Sequence, residues 1–88
     1  MTPVVFSDEE RNDLRDARAF YAAVSAALAE RFAVEVERAV RLIAEHPAAW
    51  TSIGHGLRRV VVHRFPYVLV YREGVPQHRV IEIGRAHV

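Results

Sequence analysis

The apolar residues between Ser7 and Pro47 keep helical spacing for longer than one small domain can hold in a straight line. Leu14, Ala17, Tyr21, Val24 and Leu28 fall on one face, and the pattern continues through Phe32, Val36, Ala39, Val40 and Ile43 until His46-Pro47 stops it. One helix from Asp8 to Glu45 has about 38 residues and measures roughly 57 Å. A chain of this length has a radius of gyration near ~12 Å, so the segment is expected to double back. Ser25 is the expected break, because a serine hydroxyl caps a following helix. The alternative is an intact rod in a dimeric coiled coil. Ser7-Asp8-Glu9-Glu10 marks the start as a capping box: the Ser7 hydroxyl accepts from the Glu10 amide and Glu10 reaches back to the Ser7 amide. The three acids also meet the positive end of the helix dipole.

The second half changes period. Leu57 to Arg72 reads as two strands joined at Phe65-Pro66-Tyr67, rich in β-branched and aromatic residues. Pro66, with no backbone donor, belongs at a bend or an edge. The expected strands are about 57–64, 67–73 and 78–84, with Glu73-Gly74-Val75-Pro76 as the last turn. Short joins make them an antiparallel meander, and Val4-Val5-Phe6 is a candidate edge strand. Residues 47–56, with two glycines and little charge, read as a connection. Period two in the last strand groups Val80, Glu82 and Gly84 on one side and Arg79, Ile81, Ile83 and Arg85 on the other. The expected fold is α+β, a helical hairpin packed on a three- to four-stranded antiparallel sheet, as one domain over residues 1–88.

Charge is divided unevenly. Residues 1–50 hold six arginines against nine acids, whereas residues 51–88 hold six arginines against two acids and four of the five histidines. Arg58, Arg59, His63, Arg64 and Arg72 fall in a stretch with no acid, so the strands have a basic face to offer an anionic or acidic partner. Every basic residue other than histidine is arginine, a rigid fork suited to carboxylate and phosphate and unable to accept a proton. Without cysteine there is no disulfide, thiolate nucleophile or Cys-based zinc site. The histidines at 46, 55, 63, 78 and 87 lack ligand spacing, so no metal site is expected. No signal peptide or membrane span is evident, and a cytoplasmic domain without membrane contact is the expectation.

The ordered set of motifs resembles the ParE/RelE toxin superfamily of type II toxin–antitoxin systems over nearly the whole chain. The set comprises Val5-Phe6-Ser7, Asp13-Leu14, Phe20-Tyr21, Ser25 to Phe32, Glu37-Arg38-Ala39, His46-Pro47, Gly56-Leu57-Arg58-Arg59, Arg64-Phe65-Pro66-Tyr67, Tyr71-Arg72 and Ile81 to Arg85. Phe20-Tyr21, the Pro47–Trp50 connection and the Arg64–Tyr67 corner look more like the ParE-like plasmid-stabilisation branch. The resemblance implies a toxin that inhibits growth by binding an essential target, DNA gyrase, and is neutralised by a cognate antitoxin in a hetero-oligomer. It implies no cofactor. In the RelE-like alternative the chain is an endoribonuclease acting on mRNA at the ribosome. Members of the ParE-like branch run past a histidine into a basic, aromatic tail. Here only Val88 follows His87, so an inactive toxin kept for antitoxin binding and operon autoregulation is a third reading.

Chemistry weighs these readings. RNA cleavage by a ribose 2′-OH needs a base, an acid and cations around phosphorus. Arginine supplies only the last, so the base has to be a histidine, an acid or a tyrosine; the catalytic candidates are His63, Arg85 and His87. Partner binding needs less: Arg58, Arg59, Arg64, Arg72, Arg79 and Arg85 are the candidates for bidentate pairing with antitoxin carboxylates, half of them expected to make contact. Trp50 is expected to close the core. Phe20, Tyr21, Phe32, Phe65, Tyr67, Tyr71 and Val60 to Val62 are expected to build most of it.

Overall fold

A computed structural model describes residues 1–86. The elements in chain order are β1 (Val4–Phe6), α1 (Asp8–Ala22), α2 (Ala26–Glu45), β2 (Thr51–Gly54), β3 (Leu57–Val61), β4 (Tyr67–Arg72) and β5 (His78–Arg85). The long helical pattern does break at Ser25. Its backbone is extended and its hydroxyl accepts the Leu28 amide at 3.0 Å, which starts α2. At the start of α1 the capping box takes a different form. Ser7 Oγ donates to the Glu10 carboxylate and makes no bond to a backbone amide. Glu10 is thereby buried at the helix entry.

The sheet has five strands in the order β1-β5-β4-β3-β2, one more than the upper expectation. β1 runs parallel to β5, and the other pairs are antiparallel. The added strand is β2, inside the segment read as a connection. Every residue of β2 is exposed, so it carries no buried-face alternation for a sequence reading to detect. It is held by backbone pairing to β3 and by a turn in which Gly54, His55 and Gly56 all have positive φ. β3 also stops earlier than expected, at Val61. Residues 62–66 form a turn in which Arg64 has φ 68°.

β5 departs from strict alternation. Tyr71 faces Val80 and Val70 faces Glu82, so Ile81 is an extra residue, a β-bulge. The bulge overturns the expected grouping. Val80, Ile83 and Arg85 share the side of Tyr71, Leu69 and Tyr67, whereas Arg79, Glu82 and Gly84 share the side of Arg72, Val70 and Val68.

The helices cover one face of the sheet. Phe32, Ile43, Val62, Leu69, Tyr71 and Val80 are fully buried between the layers. Burial of Phe32 alone is worth about 2–3 kcal/mol. Tyr21, Phe32, Phe65 and Tyr67 form an aromatic cluster; the Tyr21 and Phe32 rings stand 4.9 and 5.1 Å from Phe65, mostly edge to face. Trp50 packs on this core, and its indole N–H donates at 2.9 Å to the Leu42 carbonyl in the last turn of α2, which also accepts from the His46 amide at 3.1 Å. Two residues expected inside lie outside. Phe20 is 66% exposed on α1 and Val61 is 52% exposed on the outer side of β3.

Candidate partner interface on the open sheet face

Strand register sorts the six candidate arginines. Directly paired residues lie on the same side of a sheet. Arg59 pairs with Val70, which pairs with Glu82; Leu57 pairs with Arg72, which pairs with Arg79. These residues stand on the side the helices leave open. Arg59, Arg72 and Arg79 are exposed there with Val61, while Val68 and Val70 beneath them are buried. The face is a basic rim over an apolar floor. Glu82 is the one acid the register puts on it among the described residues, and none of the three arginines is ion-paired to a described acid.

Arg72 is partly held. Its Nη1 donates to the His55 carbonyl at 3.2 Å. A Cβ at Gly56, where φ is 73°, would stand 3.2 Å from the same Nη1, so glycine there serves both the turn and the path of the arginine.

Arg58 has a different task. It faces the helix side, where its Nε donates to Glu73 at 2.9 Å and its Nη1 to the Trp50 carbonyl at 2.8 Å. Tyr71 adds a hydroxyl bond to the Pro47 carbonyl. Together they anchor the segment between α2 and β2. Burial pushes the Tyr71 phenol above its ordinary value; nearby Glu73 adds to the rise and Arg58 opposes it.

Arg85 lies on the helix side at the end of β5, its guanidinium 5.4 Å from the centre of the Tyr67 ring. Burial, then the neighbouring Tyr67, raises the Tyr21 phenol in the same cluster, against the pull of Arg85. Arg64 and His63 sit in the turn after β3, with Arg64 Nε 3.3 Å from His63 Nε2. Of the catalytic candidates, His63 and Arg85 make no hydrogen bond to each other, and His87 lies outside the described residues. No group of metal-ligating side chains forms among the described residues, and no described helix is long and apolar enough to cross a membrane.

The sequence reading missed two charged residues that the fold makes notable. Glu82 reaches the open face only because of the bulge. Glu35 is buried on α2; its position three after Phe32 and four before Ala39 was a legible signal.

Comparison with known proteins agrees with this architecture. The family model described as the ParE toxin of type II toxin–antitoxin system, parDE, matches residues 4–86. A chain in a solved structure of a chromosomal ParDE TA system from P. aeruginosa is similar in fold. Its TM-score is 0.79 at 18% identity, covering 99% of this chain and 98% of that chain. No curated protein matches the sequence.

Proposed function

Because the chain belongs to the ParE toxin family of type II toxin–antitoxin systems, we propose that it is a toxin that arrests growth by binding DNA gyrase and is silenced by a cognate antitoxin. The observation that carries this reading is the open face with Arg59, Arg72 and Arg79. Guanidinium forks that pair with no described acid suit a partner's carboxylates, and exposed Val61, in register with Val68 on the same side, offers an apolar contact. An antitoxin tail of alternating acidic and apolar residues fits both features.

Binding is favoured over RNA cleavage by placement. The strand register puts no histidine on the basic face; His63 belongs to the turn beyond β3, and His55, whose carbonyl accepts from Arg72, to the turn between β2 and β3. The register thus gives the three guanidiniums of that face no base in line with them, so the face suits partner binding.

Induced expression with and without the protein encoded by the neighbouring reading frame tests the proposal. The expected result is growth arrest with a DNA-damage response, relieved by the neighbour, together with inhibition of gyrase supercoiling by the purified chain. Arrest with transcript cleavage that His63→Ala abolishes, or no arrest, would overturn it.

A further inference from the structure

We propose that the groove between α2 and the turn after β3 is a second binding site, one that takes a phosphate-class anion. It goes beyond the toxin reading and does not rest on it. The groove is a cavity of about 600 Å³ whose charged lining is Glu30, Arg31, Glu35, Arg38, His63 and Arg64. Arg31, Glu35 and Arg38 come together because residues three and four apart share a helix face. Arg64 and His63 arrive from the opposite wall.

Three further observations define the charge and geometry of the groove. First, Glu35 lies in the buried stripe of α2 with only 10% of its side chain exposed, and its Oε1 has no hydrogen-bond partner. Arg38 Nη1 stands 3.5 Å from it, an ionic contact without hydrogen-bond geometry. A carboxylate buried to that degree is tolerated where neighbouring cations compensate it. Second, Arg64 sits at φ 68°, a left-handed conformation that side chains other than glycine, asparagine and aspartate rarely adopt. The turn places a long cation where glycine would be easier. Third, Glu30 is paired with Arg18 at 3.0 Å, and Arg31 and Arg64 pair with no described acid.

With Glu30 neutralised, three guanidiniums face one buried carboxylate, an excess of two positive charges that matches a phosphate dianion or two adjacent phosphodiesters. No Phe, Tyr or Trp lines the cavity, so the large aromatic platforms typical of base-stacking sites are missing from its lining. It recognises the phosphate group itself, either free phosphate or the backbone of a single strand.

Amide-resolved NMR titration of the full chain at constant ionic strength tests this, with pyrophosphate in one arm and a short oligodeoxythymidylate in the other. The amides of Arg31, Arg38 and residues 63–65 are expected to shift saturably. Saturation by pyrophosphate alone assigns free phosphate as the ligand, and saturation by the oligonucleotide assigns a nucleic-acid backbone. Arg31→Ala and Arg64→Gly should each weaken binding by about five-fold or more. Arg64→Gly should also raise the thermal midpoint, because glycine relieves the positive φ; loss of binding in a more stable protein separates ligand recognition from folding. Arg15→Ala, on exposed α1, should leave binding unchanged. Absence of saturable shifts in both arms would overturn the proposal, as would an equal loss in the Arg15→Ala variant.

Discussion

Arg72 and Arg79 face each other directly across β4 and β5 on the side of the sheet that the helices leave open. Like charges in register repel, and a sequence selected for stability alone would place an opposite charge or a small polar residue at one of the two positions. In the proposed function, a partner's acids lie between the two.

The first prediction follows from that repulsion. Arg79→Thr should stabilise the free protein slightly, by up to about 0.5 kcal/mol because both groups are solvent-screened. The same change should weaken antitoxin affinity by about ten-fold or more. Thermal denaturation and calorimetric titration of one preparation check both signs.

Adjacent Arg58 and Arg59 should separate in experiment. Arg58→Ala removes the bonds to Glu73 and to the Trp50 carbonyl and should destabilise the fold by about 1–2 kcal/mol, since Glu73 is itself partly screened. Arg59→Ala should leave stability within about 0.5 kcal/mol and weaken antitoxin binding. Denaturant midpoints and affinities measured on the pair distinguish a structural arginine from an interface arginine.

These contrasts mark how far the sequence could be read. The hairpin was legible because two local signals agreed: a helical stripe too long for the domain and a serine able to cap at its midpoint. β4 and the start of β5 were legible from composition. β2 was not, because a short strand exposed on both sides satisfies only backbone groups and leaves no hydrophobic pattern. The bulge at Ile81 was hidden for a related reason: a one-residue insertion in the pairing is set by the partner strand, and it reverses the face of every later residue. The basic character of the site was visible as charge density. Its division, with Arg59, Arg72 and Arg79 outward, Arg58 and Arg85 inward and Arg64 in a turn, required the register.

The Tyr71 phenol gives a pH dependence. Burial raises its folded value above the ordinary 10.0, so its contribution is fully present below that value. The contribution is lost as pH rises through the higher folded value, where the native state must ionise a buried group. Stability should therefore fall on the alkaline side. Tyr71→Phe should make that fall shallower while costing about 1 kcal/mol at neutral pH through loss of the bond to the Pro47 carbonyl. Urea titrations at neutral and alkaline pH read both effects.

Ser25→Ala removes the acceptor for the Leu28 amide and should cost about 1 kcal/mol. Ser25→Asp, which preserves the acceptor, should restore most of it. Ser7→Ala should behave differently, because Ser7 bonds a carboxylate and caps no amide: it leaves buried Glu10 without that donor, and Ser7→Asp should not rescue it. Thermal midpoints of the four variants test the distinction.

The central claim is that the open arginine face grips the antitoxin. Calorimetric titration of the antitoxin into a variant carrying Arg59→Glu, Arg72→Glu and Arg79→Glu tests it most directly, with circular dichroism confirming an unchanged fold. The account predicts a loss of affinity of at least about a hundred-fold. Wild-type affinity in a folded triple variant would contradict it.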